Sequence, residues 1–176
     1  MHINCSLSGH NLALRIQPLL QLYRKLIKSF KPCILVSHLS LVLNQWCTRR
    51  RFGSESVACP FGCGHHNDDI DHLISCPEFT QLFNRVLRCR NLVFSHWNIL
   101  LLNFGDSPHS SFFAEYVFLF VHVCRAAHNS LRHGGTFNRR LVTHLLKRIA
   151  THCNKARKFI VFCRATDNYP WPLHDA

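Results

Sequence analysis

Apolar residues recurring at helical spacing, proline and glycine signals at the ends of those stretches, and a nineteen-residue cluster of cysteines, histidines and aspartates predict a mostly α-helical domain with a small zinc-knuckle insertion. At 176 residues the chain is long enough to bury a core, and 47% apolar content without low-complexity runs excludes wholesale disorder. The organisation expected is a helical segment with an Arg-rich turn over residues 1–58, a knuckle over 59–77 and a second helical segment over 78–176, all in one domain.

The first helix is expected in "QPLLQLYRKLIKSFKP", where Pro18 stands near a start and Leu19, Leu22, Tyr23, Leu26, Ile27 and Phe30 share a face opposite Lys25, Lys28 and Lys31. "CILVSHLSLVLNQW" is apolar enough for a buried helix, although such a run also suits a strand. "PEFTQLFNRVLRCRN" opens on Pro77 and sets Phe79, Leu82, Phe83, Val86 and Leu87 on one side. After an ill-defined segment around Trp97, "SPHSSFFAEYVFLFVHVCRAAHNSLRHGG" has a start at Ser107-Pro108 and a stop at Gly134-Gly135. "TFNRRLVTHLLKRIATHCNKARKFIVF" reads as one amphipathic helix, with Leu141, Val142, Leu145, Leu146, Ile149, Cys153, Ala156 and Ile160 on its apolar side. The tail "DNYPWPLHDA" is expected to be loop.

The cluster itself is "CPFGCGHHNDDIDHLISCP", Cys59 to Pro77. Its spacing, Cys59-x3-Cys63-x8-His72-x3-Cys76, offers three thiolates and one imidazole, a common closed tetrahedral set for one structural Zn2+. Gly62 and Gly64 suit the positive φ of a tight knuckle, and His72 and Cys76 are one helical turn apart. Asn67 is expected to cap that turn, with Asp68 and Asp69 in its first turn and Asp69 or Asp71 available to orient a ligand imidazole. His65 and His66 compete with His72, which is preferred because it alone stands one turn from Cys76. Four ligands leave no open position, so a structural metal is expected over a catalytic one; the enzyme reading is a small metal-dependent nuclease built on "HHNDD".

"NQWCTRRRFG" followed by the cluster resembles the C-terminal region of reverse-transcriptase-like proteins of non-LTR retrotransposons, which carry a Trp/Thr/Arg-rich segment and then a Cys-Cys-His-Cys zinc knuckle. The resemblance covers about Asn44 to Phe79 and implies Cys59, Cys63, His72 and Cys76 as ligands, with Trp46, Thr48, Arg50, Arg51 and Phe52 in the preceding segment. It also implies binding of template RNA or target DNA, and the chain is expected to be a detached or truncated C-terminal piece, with a polymerase domain of the parent element as a further partner. No paired acids of a polymerase palm and no nuclease constellation occur in the chain, so a non-catalytic role is expected.

Charge agrees with such a partner. Lys and Arg number 21 against 9 acids, a net charge of +12, which favours a polyanion. Arg49, Arg50 and Arg51 beside Trp46 mix guanidinium for phosphate with an aromatic face for bases, and Arg140, Lys147, Arg148, Lys155 and Lys158 share the polar side of the last helix. RNA or DNA bound without strong sequence specificity is the expected partner; the other reading is a zinc-organised protein-interaction module. The opening residues lack a signal-peptide pattern and the longest apolar run falls short of the roughly 20 residues that cross a bilayer. An intracellular, nuclear or cytoplasmic, location without membrane contact is therefore expected, with Cys33, Cys47, Cys89, Cys124 and Cys153 as small buried apolar residues.

Overall fold

A computed structural model describes residues 20–28, 30–46, 48, 58–64, 68–89, 92, 95–102 and 109–165. The described residues are helical with no strand, as expected. Residues 20–27 form α1; α2 is Pro32–Val42, α3 Ile70–Ser75, α4 Pro77–Leu87, α5 His96–Leu101, α6 Ser110–Arg132, α7 Arg139–His152 and α8 Asn154–Ala165. None of these helices is long and apolar enough to cross a membrane.

The 23-residue α6 is the centre, because its run from Phe113 to Val121 is buried without a polar face and a helix apolar on all sides needs neighbours on all sides. Helices α2, α3, α7 and α8 pack around it, α4 packs on α7 and α8, and α5 bridges α2 and α3. Phe118 of α6 meets the rings of Tyr23, Phe30 and His38, while Phe120 meets Phe79 and Phe83 of α4 edge-on, the geometry that aromatic quadrupoles favour.

Polar groups inside this core are paired. Glu115 lies on the buried run and accepts from Lys155 Nζ of α8 at 2.6 Å. His38 of α2 donates its Nε2–H to the Ile99 carbonyl at 2.7 Å, so its Nδ1 is the acceptor for the Tyr23 hydroxyl. Burial holds the His38 imidazolium down, at a pKa of about 4, and pushes the Tyr23 phenol up. Asn84 of α4 ties two neighbours together, donating to the Leu92 carbonyl at 2.8 Å and accepting from the Tyr116 hydroxyl.

The helix ends follow elementary capping chemistry. Pro32 and Pro77 occupy the first turns of α2 and α4, where a missing N–H costs nothing. Gly134, at φ +82°, ends α6 as expected, and Gly135 N donates to the Ser130 carbonyl at 2.9 Å. The start at Ser107-Pro108 lies outside the described residues. The segment around Trp97, ill-defined in sequence, holds α5, which Ser95 and Asn98 start with a reciprocal capping box.

Three expectations are corrected. The segment from Arg139 is two helices, because Cys153 leaves helical geometry at φ −136°, ψ 104° within the weakly helix-forming run "THCN"; its apolar side is nonetheless buried or half-buried throughout. The second apolar segment is a helix, but not one buried all round: Val36, Leu39 and Val42 are exposed, as are Leu43 and Ile27. Cys33 is exposed, whereas Cys89, Cys124 and Cys153 are buried; Cys47 lies outside the described residues.

Candidate metal centre

The chain from Cys59 turns sharply, with Gly62 N donating to the Cys59 carbonyl at 3.0 Å and Phe61 N donating to the Cys59 Sγ at 3.4 Å. Pro60 fixes one φ of this turn, and Gly62 and Gly64 adopt φ of +81° and +82°, the left-handed region where a side chain is strained. The turn therefore delivers Cys59 and Cys63 to one side. Phe61 points the other way into the core, against Phe79 at 5.0 Å and Phe137 at 4.8 Å between ring centroids.

The second half of the site is set by α3. Asp69 caps it, accepting from His72 N at 2.8 Å, and Leu73 and Ile74 bury its apolar side against the centre of the molecule. The cap is thus Asp69 and not Asn67, which lies outside the described residues. Asp71, not Asp68 or Asp69, is the acid in the first turn. Cys76 ends α3 at ψ 119° and begins α4 with Pro77 behind it, so the bend that proline imposes is the bend that points the last thiol back at the loop.

These two halves bring Cys59, Cys63, His72 and Cys76 together: their four donor atoms all lie within 4.8 Å of one another. Cys59 Sγ and Cys76 Sγ are 3.7 Å apart, and Cys63 Sγ is 3.1 Å from His72 Nε2. The cysteines are free thiols, and the group is close enough to hold a metal ion. Cys59 and Cys76 are buried while Cys63 and His72 are partly exposed. The thiol of Cys76 beside it, aided by the Phe61 N–H, lowers the Cys59 pKa against the opposing effect of burial; the same contact and burial push Cys76 up. One thiolate is thus already favoured in a pair that a cation would fully deprotonate.

Asp68 is neither cap nor ligand. It is buried in the loop between Cys63 and His72 and accepts from His128 Nε2 of α6 at 2.9 Å. Sequence reasoning missed this pair and the Phe61 contacts, since sixty residues separate Asp68 from His128 and no local pattern links them. The pair also engages one acid of "HHNDD", and the cap engages another. His65 and His66 lie outside the described residues.

The expected nucleic-acid residues fall into different places. Arg49, Arg50 and Arg51 lie outside the described residues. Trp46 is corrected: it is 2% exposed, with its Nε1–H directed to the Ser37 carbonyl at 3.4 Å, so its ring has no face for a base. Lys155 is partly exposed on α8, with its ammonium held by Glu115. Arg140 and Lys147 line a shallow groove on α7 with Arg139 and His144; Arg148 instead lines a separate cleft, and Lys158 is exposed on α8. No protein-family model, curated protein or solved structure matches the chain.

Proposed function

We propose that the chain is a non-catalytic, zinc-stabilised module that binds RNA or DNA through phosphate contacts, without strong sequence specificity. The observation that carries the metal half is the convergence of Cys59, Cys63, His72 and Cys76. Two thiolates bound to one zinc at about 2.3 Å stand about 3.8 Å apart across a tetrahedral edge, and Cys59 and Cys76 are 3.7 Å apart. Three sulfurs and one nitrogen fill the tetrahedron, which leaves no position for a reacting water and favours a structural ion. An iron–sulfur cluster is less well served, since it usually takes four cysteines.

The nucleic-acid half rests on charge and its placement. The +12 chain exposes Arg139, Arg140, His144 and Lys147 along one groove, and a polyphosphate is the simplest partner for such a surface. The resemblance to the knuckle region of non-LTR retrotransposon proteins belongs to the same reading, with a polymerase domain of the parent element as a further partner. Metal analysis should find one zinc per chain. Fluorescence anisotropy with single-stranded RNA and DNA should show binding at low salt that weakens steeply as salt rises; absence of binding at low salt sinks the reading.

A second reading, a zinc-organised protein-interaction module, is favoured by one observation: Val36, Leu39, Val42 and Leu43 expose apolar surface on and just beyond α2. Binding of a protein partner that survives charge reversal at Arg140 and Lys147 would bring it forward.

A further inference from the structure

A cleft of about 320 Å3 opens between α2, α6 and α7, away from the cysteine cluster. Its floor is apolar, with Ile34 and Ile149 both buried, and its polar lining is Lys31, His122, Arg148 and His152. That volume lies at the lower end of the roughly 300–1,000 Å3 that small-molecule sites occupy, and an apolar floor with a few polar groups is the composition of such sites.

The charge around the cleft has one sign. The acids among the described residues are Asp68, Asp69, Asp71, Glu78 and Glu115, and none of them lines it. Lys31 and Arg148 carry exposed cations at its edge, while His122 is fixed within it by a 2.8 Å hydrogen bond to the Ser37 hydroxyl of α2. Burial, with the cations Arg125 and Arg148 nearby, lowers the His122 pKa, so its ring acts as a neutral hydrogen-bonding group. A ligand that suits all of this has a flat or apolar body and an anionic end.

Helix α7 connects the cleft to the basic groove: His144 and Lys147 line the groove, and Arg148 and Ile149, next along the chain, line the cleft. We propose that the cleft receives one unstacked nucleotide of a bound single strand, its base against the half-buried Leu145 and Ala126 and its phosphate between Lys31 and Arg148. This rests on the nucleic-acid reading above and gives it a specific seat.

The test uses the full zinc-loaded chain, an oligouridine carrying a single 2-aminopurine, and free uridine monophosphate. Ala126, half-buried in the cleft lining, is enlarged in Ala126→Leu, and the surface variant Arg148→Gln serves as a second probe that does not touch the core. Wild-type protein should raise the 2-aminopurine fluorescence on binding, reporting an unstacked base. Both variants should weaken strand binding about tenfold, equivalent to about 1.4 kcal/mol, and suppress the fluorescence rise, with thermal unfolding unchanged for Arg148→Gln. If the strand binds the variants with wild-type affinity and response, the cleft assignment is wrong and the groove reading stands. If no strand binds even wild type, both fail together. If uridine monophosphate binds in the cleft and the strand does not, the site belongs to a free nucleotide and the proposal is overturned.

Discussion

Asp68 and His128 join the cysteine-bearing loop to the centre of the molecule: the imidazole on α6 donates its Nε2–H to the loop carboxylate at 2.9 Å, with both side chains buried. Asp68 lies between Cys63 and His72, so this bond fixes the stretch that connects two donor atoms. Asp68→Ala removes the acceptor and leaves a buried ring nitrogen without it, which costs about 1–3 kcal/mol. Urea denaturation of the zinc-loaded protein should register that loss, and chelator competition should register weaker metal binding. Asp68→Asn, which keeps an oxygen acceptor, should lose less. Unchanged stability in Asp68→Ala would mean the pair does not tie the loop down.

Removing the metal should reach beyond the loop. Phe61 and Phe79 pack in the same core as Phe83 and Phe120, and Cys76 is the joint between α3 and α4. A metal that binds only the folded chain contributes about 4 kcal/mol at 1,000 times its Kd. For a chain of this size that corresponds to a fall in Tm of roughly 10 °C on chelation. Cys76→Ser should reproduce the fall and make the protein insensitive to chelator. A Tm that ignores both chelator and Cys76→Ser would refute a structural metal.

What the sequence made legible were features with local causes. The positive φ of Gly62 and Gly64, the stop at Gly134 and the apolar side from Leu141 to Ile160 depend on neighbours within a few residues, and the structure shows each of them. The misses were decided by distant contacts. Trp46 looked like a stacking platform beside three arginines, but the core claims its ring. Lys155 looked like part of a solvated basic face, but Glu115, embedded in an apolar helix, needs a cation and α8 brings that one within 2.6 Å. The cap moved from Asn67 to Asp69 because two residues of good capping type stood close together, and only the backbone path chooses between them.

Acid should destabilise the protein through His38. Burial penalises the charged ring and lowers its pKa from an ordinary 6.5 to about 4, against the opposing effect of the Nε2–H bond to the Ile99 carbonyl; the Nδ1 lone pair is already taken by the Tyr23 hydroxyl. Between those values the unfolded chain binds a proton that the folded chain refuses. Stability from this group is therefore complete above pH 6.5 and is lost as pH falls toward 4, a change of about 3 kcal/mol. Acid also releases metal, so the measurement is the difference between wild type and His38→Asn, both metal-free, in urea unfolding across that range. The wild type should lose the larger share on acidification; equal slopes would show that His38 is not the group refusing the proton.

Charge reversal on α7 separates electrostatic binding from the accidents of a basic composition. Arg140 and Lys147 are exposed and line the same groove, whereas Lys155 is already neutralised by Glu115. If the groove tracks a phosphate backbone, Arg140→Glu and Lys147→Glu should each weaken binding to single strands of any sequence. Each lost phosphate contact should also lower the slope of log affinity against log salt by about 0.7. Lys155→Gln should leave that slope unchanged and lower stability instead, because it strands the buried Glu115 carboxylate. The two readouts move in opposite residues for a physical reason: an unpaired surface cation holds counterions to release, and a cation already held by a buried carboxylate holds fewer. A salt slope that falls with Lys155→Gln and not with Lys147→Glu would place the nucleic acid somewhere other than this groove.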